Sequence, residues 1–170
     1  YQSLLFCHVT DDSIRLASSS GGFTTWLCCQ LLLRGFVDGI VHVRSTSGPP
    51  GKHPLFDYFI SRSPDAVKAG AGSRYYPVQM RDVLNILASS KDRVALVAVP
   101  CFAKAVRLFQ ASEPQLRQRV VYVIGLLCGH MKSARFAEFI AWQCGIHPEN
   151  LTSIEFRRKM PGVQASNYLN

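Results

Sequence analysis

Three serines and two glycines stand directly in front of an apolar stretch near the beginning of the chain. They are Ser18, Ser19, Ser20, Gly21 and Gly22, and the apolar stretch covers residues 23–33. Small residues let the backbone turn sharply and leave the first N–H groups of a following helix open to a ligand. Those N–H groups and the positive end of the helix dipole both favour an anion. The alternative is an ordinary helix start capped by a hydroxyl, and both interpretations stay open at this point.

Six cysteines provide a second kind of reactive group, and two of them stand apart from the others. None belongs to a CxxC pair, and their wide spacing matches neither a zinc module nor a small disulfide framework. Reduced thiols are therefore expected. Cys101 and Cys128 each follow a strand-like apolar run, and the ends of strands are where open α/β sheets place their chemistry.

The composition indicates one globular domain with an excess of positive charge. The 170 residues are 48% apolar and carry a net charge of +8, which favours anionic partners. Nucleic-acid binding is not favoured, because the basic residues are scattered and the nearest cluster is the short run 157–159. No apolar run is long enough to cross a bilayer and no signal peptide is evident, so a cytoplasmic location is expected. Because the first residue is Tyr1 rather than Met, the chain is expected to be a piece of a longer protein.

Strand-like and helix-like segments alternate along the sequence, and this alternation predicts the fold. Predicted strands cover residues 37–43, 56–61, 94–99, 120–127 and 151–156, and a strand pair covers 4–9 and 14–17. Predicted helices cover residues 21–34, which Gly35 ends, and 80–89, 102–109 and 134–144, with a short helix opening at Ser63 and Pro64. Residues 45–54 are predicted to be a loop. The pattern predicts an α/β fold, in which helices flank a mostly parallel or mixed sheet in a single domain.

Several short motifs occur in an order that resembles one family of redox proteins. They are residues 18–23 (SSSGGF), 35–41 (GFVDGIV), 71–75 (AGSRY), 99–101 (VPC), 124–129 (IGLLCG) and 156–159 (FRRK). This order resembles the family of coenzyme F420 hydrogenase/dehydrogenase beta subunits over nearly the whole chain. The resemblance implies that residues 1–170 are a flavoprotein domain that binds FAD and, in the full-length protein, a 4Fe-4S cluster. Electrons would pass between the cluster, the flavin and an anionic hydride carrier or substrate such as coenzyme F420, and ferredoxin-like or hydrogenase/dehydrogenase subunits would be the protein partners.

The resemblance also implies which residues hold the cofactor. Residues 18–22 would contact the flavin phosphates or ring edge, and Gly72, Ser73, Arg74 and Tyr75 would form the opposite wall. Arg74 would bind a phosphate with two hydrogen bonds and Tyr75 would lie against a ring, the alternative being a turn with a surface arginine. Pro100 belongs to the Pro-Cys motif. Arg157 and Lys159 would reach a pyrophosphate or the acidic tail of a deazaflavin, and an exposed basic strand end is the alternative.

By the same resemblance, Cys101 and Cys128 are candidate ligands of the 4Fe-4S cluster. Such a cluster normally takes four thiolates, and the other cysteines lie where cysteine behaves as a small hydrophobe: Cys7 in a predicted strand, Cys28 and Cys29 in a helix, and Cys144 at a helix end. An N-terminal ferredoxin-like segment and downstream cysteines supply the remaining ligands in the family. The chain by itself is therefore expected not to hold a complete cluster.

Two features of the sequence depart from the family pattern. Val99 and Phe102 flank the Pro-Cys pair where polar residues or glycine are common in the family, which weakens the prediction for the cluster or substrate side of the site more than for the flavin side. The five histidines are interpreted as structural or surface residues, and no catalytic residue is assigned.

The resulting prediction is a flavin-dependent oxidoreductase domain, and the alternative is a non-catalytic binding module that keeps the fold. Replacing Gly21 or Gly22 by a β-branched residue is expected to abolish flavin retention while leaving the fold intact.

Overall fold

A mixed four-stranded sheet forms the centre of the protein. The computed structural model describes residues 3–49, 51 and 53–163. The strands are β1 (Gly39–Ser45), β2 (Phe56–Ser61), β3 (Val94–Ala98) and β4 (Val120–Gly125), and they lie in the order β2-β1-β3-β4. β2 runs antiparallel to β1, whereas β3 is parallel to both β1 and β4. The predicted α/β fold, with a mixed sheet flanked by helices, is confirmed.

Helices occupy most of the connections between the strands. They are α1 (Asp12–Ala17), α2 (Phe23–Leu33), α3 (Pro64–Ala69), α4 (Arg81–Ser89), α5 (Pro100–Ser112), α6 (Pro114–Arg119) and α7 (Ala134–Gln143), with one 3-10 turn at Pro148–Asn150. Gly35 has φ 67° just after α2, so it ends that helix as predicted. The loop between β1 and β2 is also as predicted, although Pro50 and Lys52 within it lie outside the described residues.

Both faces of the sheet are covered by helices. Ile40 and Val41 are consecutive residues of β1, so their side chains point to opposite faces, and both are fully buried. Ile40 packs in a cluster with Cys28 and Cys29 of α2, whereas Val41 packs in a cluster that includes Leu87 of α4. Strands buried on both faces read as continuous apolar runs, which is why the sequence located the central strands β1 and β3. The interpretation of Cys28 and Cys29 as small hydrophobes is confirmed by this packing.

The predicted strand pair at the beginning of the chain is wrong. Residues 14–17 belong to helix α1, and residues 4–9 form no strand. Asp11 is the cause, because its side chain caps the helix by accepting hydrogen bonds from the backbone N–H groups of Ser13 (2.9 Å) and Ile14 (3.2 Å). The Asp11-Asp12 pair is therefore a helix start rather than a hairpin turn. Cys7, predicted to be packed within a strand, is exposed.

The predicted strand at residues 151–156 is also wrong. Only Phe156 pairs with another strand-like residue, through an isolated antiparallel bridge to Ser73. The apolar residues of this segment are buried for a different reason, since Leu151 and Phe156 pack against α7 and Phe56 in a third core cluster. Burial in an irregular segment produces the same apolar pattern as a short strand. Cys144, at the end of α7, is exposed rather than packed.

Candidate functional site

A cleft of about 490 Å³ opens along one end of the sheet. Residues near the carboxyl end of β3 and the segment that follows β4 form part of its wall, which is where open α/β sheets bind ligands. The predicted segments 18–22 and 72–75 line it as well, and they touch each other: the Ser73 backbone N–H donates a 2.7 Å hydrogen bond to Ser19 Oγ. Two segments more than fifty residues apart in sequence therefore form adjoining walls.

The amino-terminal end of α2 opens into this cleft. Gly22 precedes the helix with φ 77°, and no side chain caps the helix in the part of the chain that the structure describes. The first-turn residues Phe23, Thr24 and Thr25 all line the cleft. Nearby, Ser18 is 7% exposed, and its Oγ is buried without a hydrogen-bond partner among the described residues. A buried hydroxyl without a partner is costly, so the arrangement suits a ligand that supplies hydrogen-bond acceptors.

The two glycines of this turn are required by close packing. A Cβ on Gly21 would lie 2.8 Å from the Cys7 carbonyl oxygen, and a Cβ on Gly22 would lie 2.9 Å from Val9 Cγ2. The Val9 backbone N–H also donates to the Gly21 carbonyl oxygen at 2.9 Å. The glycines thus let residues 18–22 lie against residues 7–9. The expectation that a β-branched residue here leaves the fold intact does not agree with this geometry.

Gly22→Val should therefore cost stability as well as any ligand binding. A valine at φ 77° is strained, and its side chain would meet the buried Val9, so we expect a loss of roughly 3 kcal/mol or more in the free energy of unfolding. Gly35→Val is a matched control, because Gly35 has φ 67° but no atom of the described residues lies within 4 Å of its Cβ position. It should lose only roughly 1–2 kcal/mol. Equal losses in urea unfolding would show that packing against Val9 is unimportant.

Arg74 is used mainly to hold its own loop. Its Nη1 and Nη2 donate to the carbonyl oxygens of Ser73 (3.1 Å) and Ala71 (2.9 Å), and its guanidinium lies 5.2 Å from the centre of the Phe56 ring. Burial lowers the pKa of Arg74, while Glu155 opposes this shift. Each terminal nitrogen carries two hydrogens and donates one of them to the backbone, so the two-pronged phosphate contact stays a prediction. Its Nε is buried and has no partner within the described ranges.

Lys159 supports the cleft from outside rather than lining it. Its Nζ donates to the carbonyl oxygen of Arg15 at 2.7 Å and to that of Ser20. Burial, with the nearby charges of Arg15 and Arg157, lowers the pKa of Lys159. Lys159 thus holds the 18–22 turn from its backbone side. Arg157, the other predicted basic ligand, is not among the lining residues either, and it adopts φ 57°.

The two candidate cluster ligands lie in different places. Cys128 is exposed and lines the cleft, whereas Pro100 and Cys101 lie in the first turn of α5 and do not line it. Across residues 3–49, 51 and 53–163, no three His, Cys, Asp or Glu side chains come together in a way that could hold a metal ion. Cys7 and Cys28 also line the cleft, and burial is the main cause that raises the pKa of the Cys28 thiol to about 12.

The charged side chains among the described residues that line the cleft are all positive. Of the described residues that line it, none is an aspartate or a glutamate, while Arg74 and Lys132 are cationic. His42 and His130 also line it. A site with low-dielectric walls and fixed positive charge favours an anionic ligand. The scattered excess of basic residues in the sequence therefore has a local counterpart at this cleft.

Comparison with known proteins identifies the family. The model of the amino-terminal part of the coenzyme F420 hydrogenase/dehydrogenase beta subunit matches residues 5–85, and the model of its carboxyl-terminal part matches residues 91–167. The chain belongs to this family of beta subunits. The resemblance expected from the motifs is thereby confirmed. No helix in the described ranges is long and apolar enough to cross a membrane.

Two proteins that are similar to this chain come from Methanosarcina species. A component of the F420H2 dehydrogenase of Methanosarcina mazei is 29% identical over 112 residues, which is 65% of this chain and 30% of that protein. A solved structure of the F420-reducing NiFe hydrogenase complex of Methanosarcina barkeri matches with a TM-score of 0.68 at 21% identity, over 88% of this chain and 52% of that chain. The likeness to that structure shows the fold. The chain thus spans about a third to a half of the length of these relatives.

His42 also lines the cleft, and the sequence did not predict it as a residue of the site. It is 7% exposed, and its Nε2 is hydrogen-bonded to Oγ of Ser61 at 2.8 Å. The same Ser61 oxygen accepts a 3.3 Å hydrogen bond from Arg44 Nη1. Burial, followed by the charges of Arg44 and Arg74, lowers the pKa of His42 to about 4. A histidine within a continuous apolar strand was the available signal, because a buried imidazole needs a polar partner.

Acidification should destabilise the protein over a window set by His42. The pKa of His42 falls from its ordinary value of 6.5 to about 4 on folding. Between those values the unfolded chain binds a proton that the folded chain excludes, so stability falls as pH falls, by on the order of 3 kcal/mol in full. Urea unfolding across this pH range measures the loss. His42→Gln should remove most of it and His130→Gln, at an exposed position, should not; an unchanged slope in His42→Gln would contradict the assignment.

Proposed function

We propose that this chain is the FAD-binding part of an oxidoreductase, which passes electrons between an iron-sulphur centre and a hydride carrier or substrate such as coenzyme F420. The observation that carries the proposal is the buried Ser18 hydroxyl, which has no hydrogen-bond partner among the described residues. Ser18 lines a cleft into which the uncapped end of α2 also opens. A dinucleotide phosphate supplies the acceptors that this corner lacks.

The shape and polarity of the cleft fit such a cofactor. Its volume of about 490 Å³ falls within the usual range of small-molecule sites, roughly 300–1,000 Å³. Its lining includes the hydroxyls of residues 18–20 and the guanidinium of Arg74. It also includes apolar residues, among them Val97, Ala98 and Leu126. A phosphate with an attached aromatic ring suits a lining of both kinds.

The protein residues have definite tasks in this proposal. The flavin, when bound, supplies the exchange of a hydride or of single electrons. Ser18 and the first turn of α2 bind the phosphate, and the hydrogen bond between Ser19 and Ser73 fixes the distance between the two walls. Arg74 holds the second wall and contributes positive charge, and Tyr75 is the candidate ring contact. Lys159 acts through Ser20 and is a positioning residue rather than a ligand.

The iron-sulphur part of the proposal concerns the whole protein. Cys128 lines the cleft, so a cluster that it ligates would lie close to a ligand bound there. Cys101 and Cys128 supply two of the four thiolates that a 4Fe-4S cluster normally takes, and the proposal needs further ligands from outside the described residues. Ferredoxin-like or hydrogenase/dehydrogenase subunits are the proposed partners, and the proposed location is cytoplasmic.

A second candidate is a binding module that keeps the fold without catalysis. It is favoured by one observation: the terminal donors of Arg74 and the Nζ of Lys159 are engaged with backbone carbonyls. Such a module would still bind an anion in the cleft, but it would not hold a flavin tightly.

The visible spectrum of the purified chain separates these two candidates. The chain is incubated with FAD, passed through a gel-filtration column and then scanned for flavin absorption. The proposal predicts a flavin band that travels with the protein in a ratio near one flavin per chain. A colourless protein after incubation would contradict the flavin proposal and favour the binding module.

A further inference from the structure

The imidazole of His42 has one nitrogen committed to the protein and one that takes part in none of the described hydrogen bonds. His42 lies in β1, lines the cleft and is 7% exposed. Its Nε2 is hydrogen-bonded to Ser61 Oγ at 2.8 Å. None of the described hydrogen bonds involves its Nδ1, and Nδ1 is not among the fully buried side-chain atoms that lack a partner in the described residues. A polar atom of this kind in a cleft wall is available to a bound ligand.

The hydrogen bonds around Ser61 decide which nitrogen carries the proton. Ser61 is 1% exposed, and its oxygen already accepts from Arg44 Nη1 at 3.3 Å. Its single hydroxyl hydrogen needs an acceptor, and the acceptor that the described hydrogen bonds provide is His42 Nε2. The opposite tautomer would leave a fully buried hydroxyl hydrogen without a partner. Nε2 is therefore the acceptor, and the proton lies on Nδ1.

The backbone beside His42 leaves room for this edge of the ring. A Cβ on Gly70 would lie 2.9 Å from His42 Nδ1 and nearer still to Cε1, so a side chain at residue 70 would cover this ring edge, which the glycine leaves uncovered. Gly70 itself lines the cleft and is buried. Burial and the charges of Arg44 and Arg74 keep the imidazole neutral near pH 7 by lowering its pKa. The group offered to the cleft is thus an uncharged N–H donor.

We propose that the Nδ1–H of His42 donates a hydrogen bond to a carbonyl oxygen or ring nitrogen of the ligand bound in the cleft, with the Arg44 and Ser61 side chains fixing the required tautomer. This assignment rests on the proposed function for the existence of a ring-bearing ligand. It adds a contact made by β1, in addition to the phosphate contact proposed for Ser18 and the first turn of α2. A neutral donor suits a heterocyclic carbonyl, whereas a phosphate is better matched by the helix end and by Arg74.

Two substitutions of His42 test the roles of its two ring nitrogens separately. His42→Gln places an amide near the Nε2 position, so it keeps a bond to Ser61 and loses the donor to the cleft. His42→Asn places an amide near the Nδ1 position and keeps that donor. Titration with riboflavin, which carries the ring without phosphate, should show roughly tenfold weaker binding for His42→Gln. His42→Asn should bind more tightly than His42→Gln, and circular dichroism checks that both variants are folded.

The tautomer is measured without any ligand. Nitrogen-15 chemical shifts of His42 in the purified chain should report a protonated Nδ1 and a bare Nε2 at neutral pH, and Ser61→Ala should allow the other tautomer to appear. A protonated Nε2 in the wild-type chain would overturn the assignment. So would equal riboflavin affinities for wild type and His42→Gln when the wild type binds flavin. If the wild type binds no flavin at all, the proposed function fails and this contact fails with it.

Discussion

Replacing Ser18 with aspartate should weaken the binding of FAD to the purified chain by about 100-fold or more. The Ser18 Oγ is buried without a hydrogen-bond partner within the described ranges, and Ser18 lines a cleft whose described lining lacks a carboxylate. A carboxylate at this position would repel a phosphate in partly buried surroundings, where charges are weakly screened. The backbone at Ser18 is extended (φ −97°, ψ 147°) and its N–H caps α1, so the substitution keeps the local backbone bond to Ile14. Fluorescence titration with FAD measures the change.

Two further variants show whether charge or local damage causes the loss. Ser18→Ala removes only the hydroxyl and should weaken FAD binding by about tenfold, the value expected for one hydrogen bond to a charged group. Ser47→Asp adds the same charge at an exposed position that does not line the cleft, and it should leave the affinity unchanged. If Ser18→Asp, shown to be folded by circular dichroism, binds FAD like the wild type, residue 18 does not face the phosphate.

Replacing Arg74 with glutamine should reduce both stability and FAD affinity. The guanidinium holds two backbone carbonyls of its own loop and packs on the Phe56 ring, and we expect a loss of about 2–3 kcal/mol in the free energy of unfolding. The loop carries the wall that meets Ser19, so FAD affinity should fall by at least about tenfold. Thermal unfolding and FAD titration measure the two effects.

Lysine at position 74 tests the role of the guanidinium shape. Arg74→Lys keeps the charge, but one ammonium group cannot reproduce the planar fork that reaches two carbonyls, so it should not restore the affinity. Arg158→Gln is the matched control, because Arg158 is exposed and forms a surface ion pair with Glu155. That variant should change stability by less than about 0.5 kcal/mol. Wild-type affinity in both variants at position 74 would contradict the role given to this loop.

Local sequence patterns predicted the sheet because its central strands β1 and β3 are buried on both faces and its edge strands β2 and β4 are also apolar runs. The strand at Phe56–Ser61 and the helix before Gly35 have nearly the predicted bounds, since an apolar run and a terminating glycine are signals within a few residues of each other. The errors at residues 14–17 and 151–156 arose where two local interpretations compete. In the first case a capping aspartate decided the outcome, and in the second case the packing of Phe156 against distant residues did.

The site was predicted as two separate segments, and only the structure shows how they meet. The hydrogen bond from Ser73 to Ser19 joins residues far apart in sequence, and no local pattern encodes it. The same reason explains Lys159, whose Nζ reaches back to Arg15 and Ser20 instead of lining the cleft. His42 was interpreted as structural or surface because nothing near it in sequence reveals the partnership with Ser61. The amino-acid composition predicted the net positive charge of the chain. Only the fold shows that cationic side chains line the cleft and that no carboxylate does so among its described lining residues.

The most direct test of the proposed phosphate site compares the binding of FAD, FMN and riboflavin to the wild-type chain. These ligands share the same ring, and only the first two carry phosphate. If the end of α2 and Ser18 bind the phosphate, FAD and FMN should bind at least about tenfold more tightly than riboflavin, and inorganic phosphate should weaken the first two selectively. Equal affinity for all three flavins, or no binding of any, would contradict the phosphate site on which the proposed function depends.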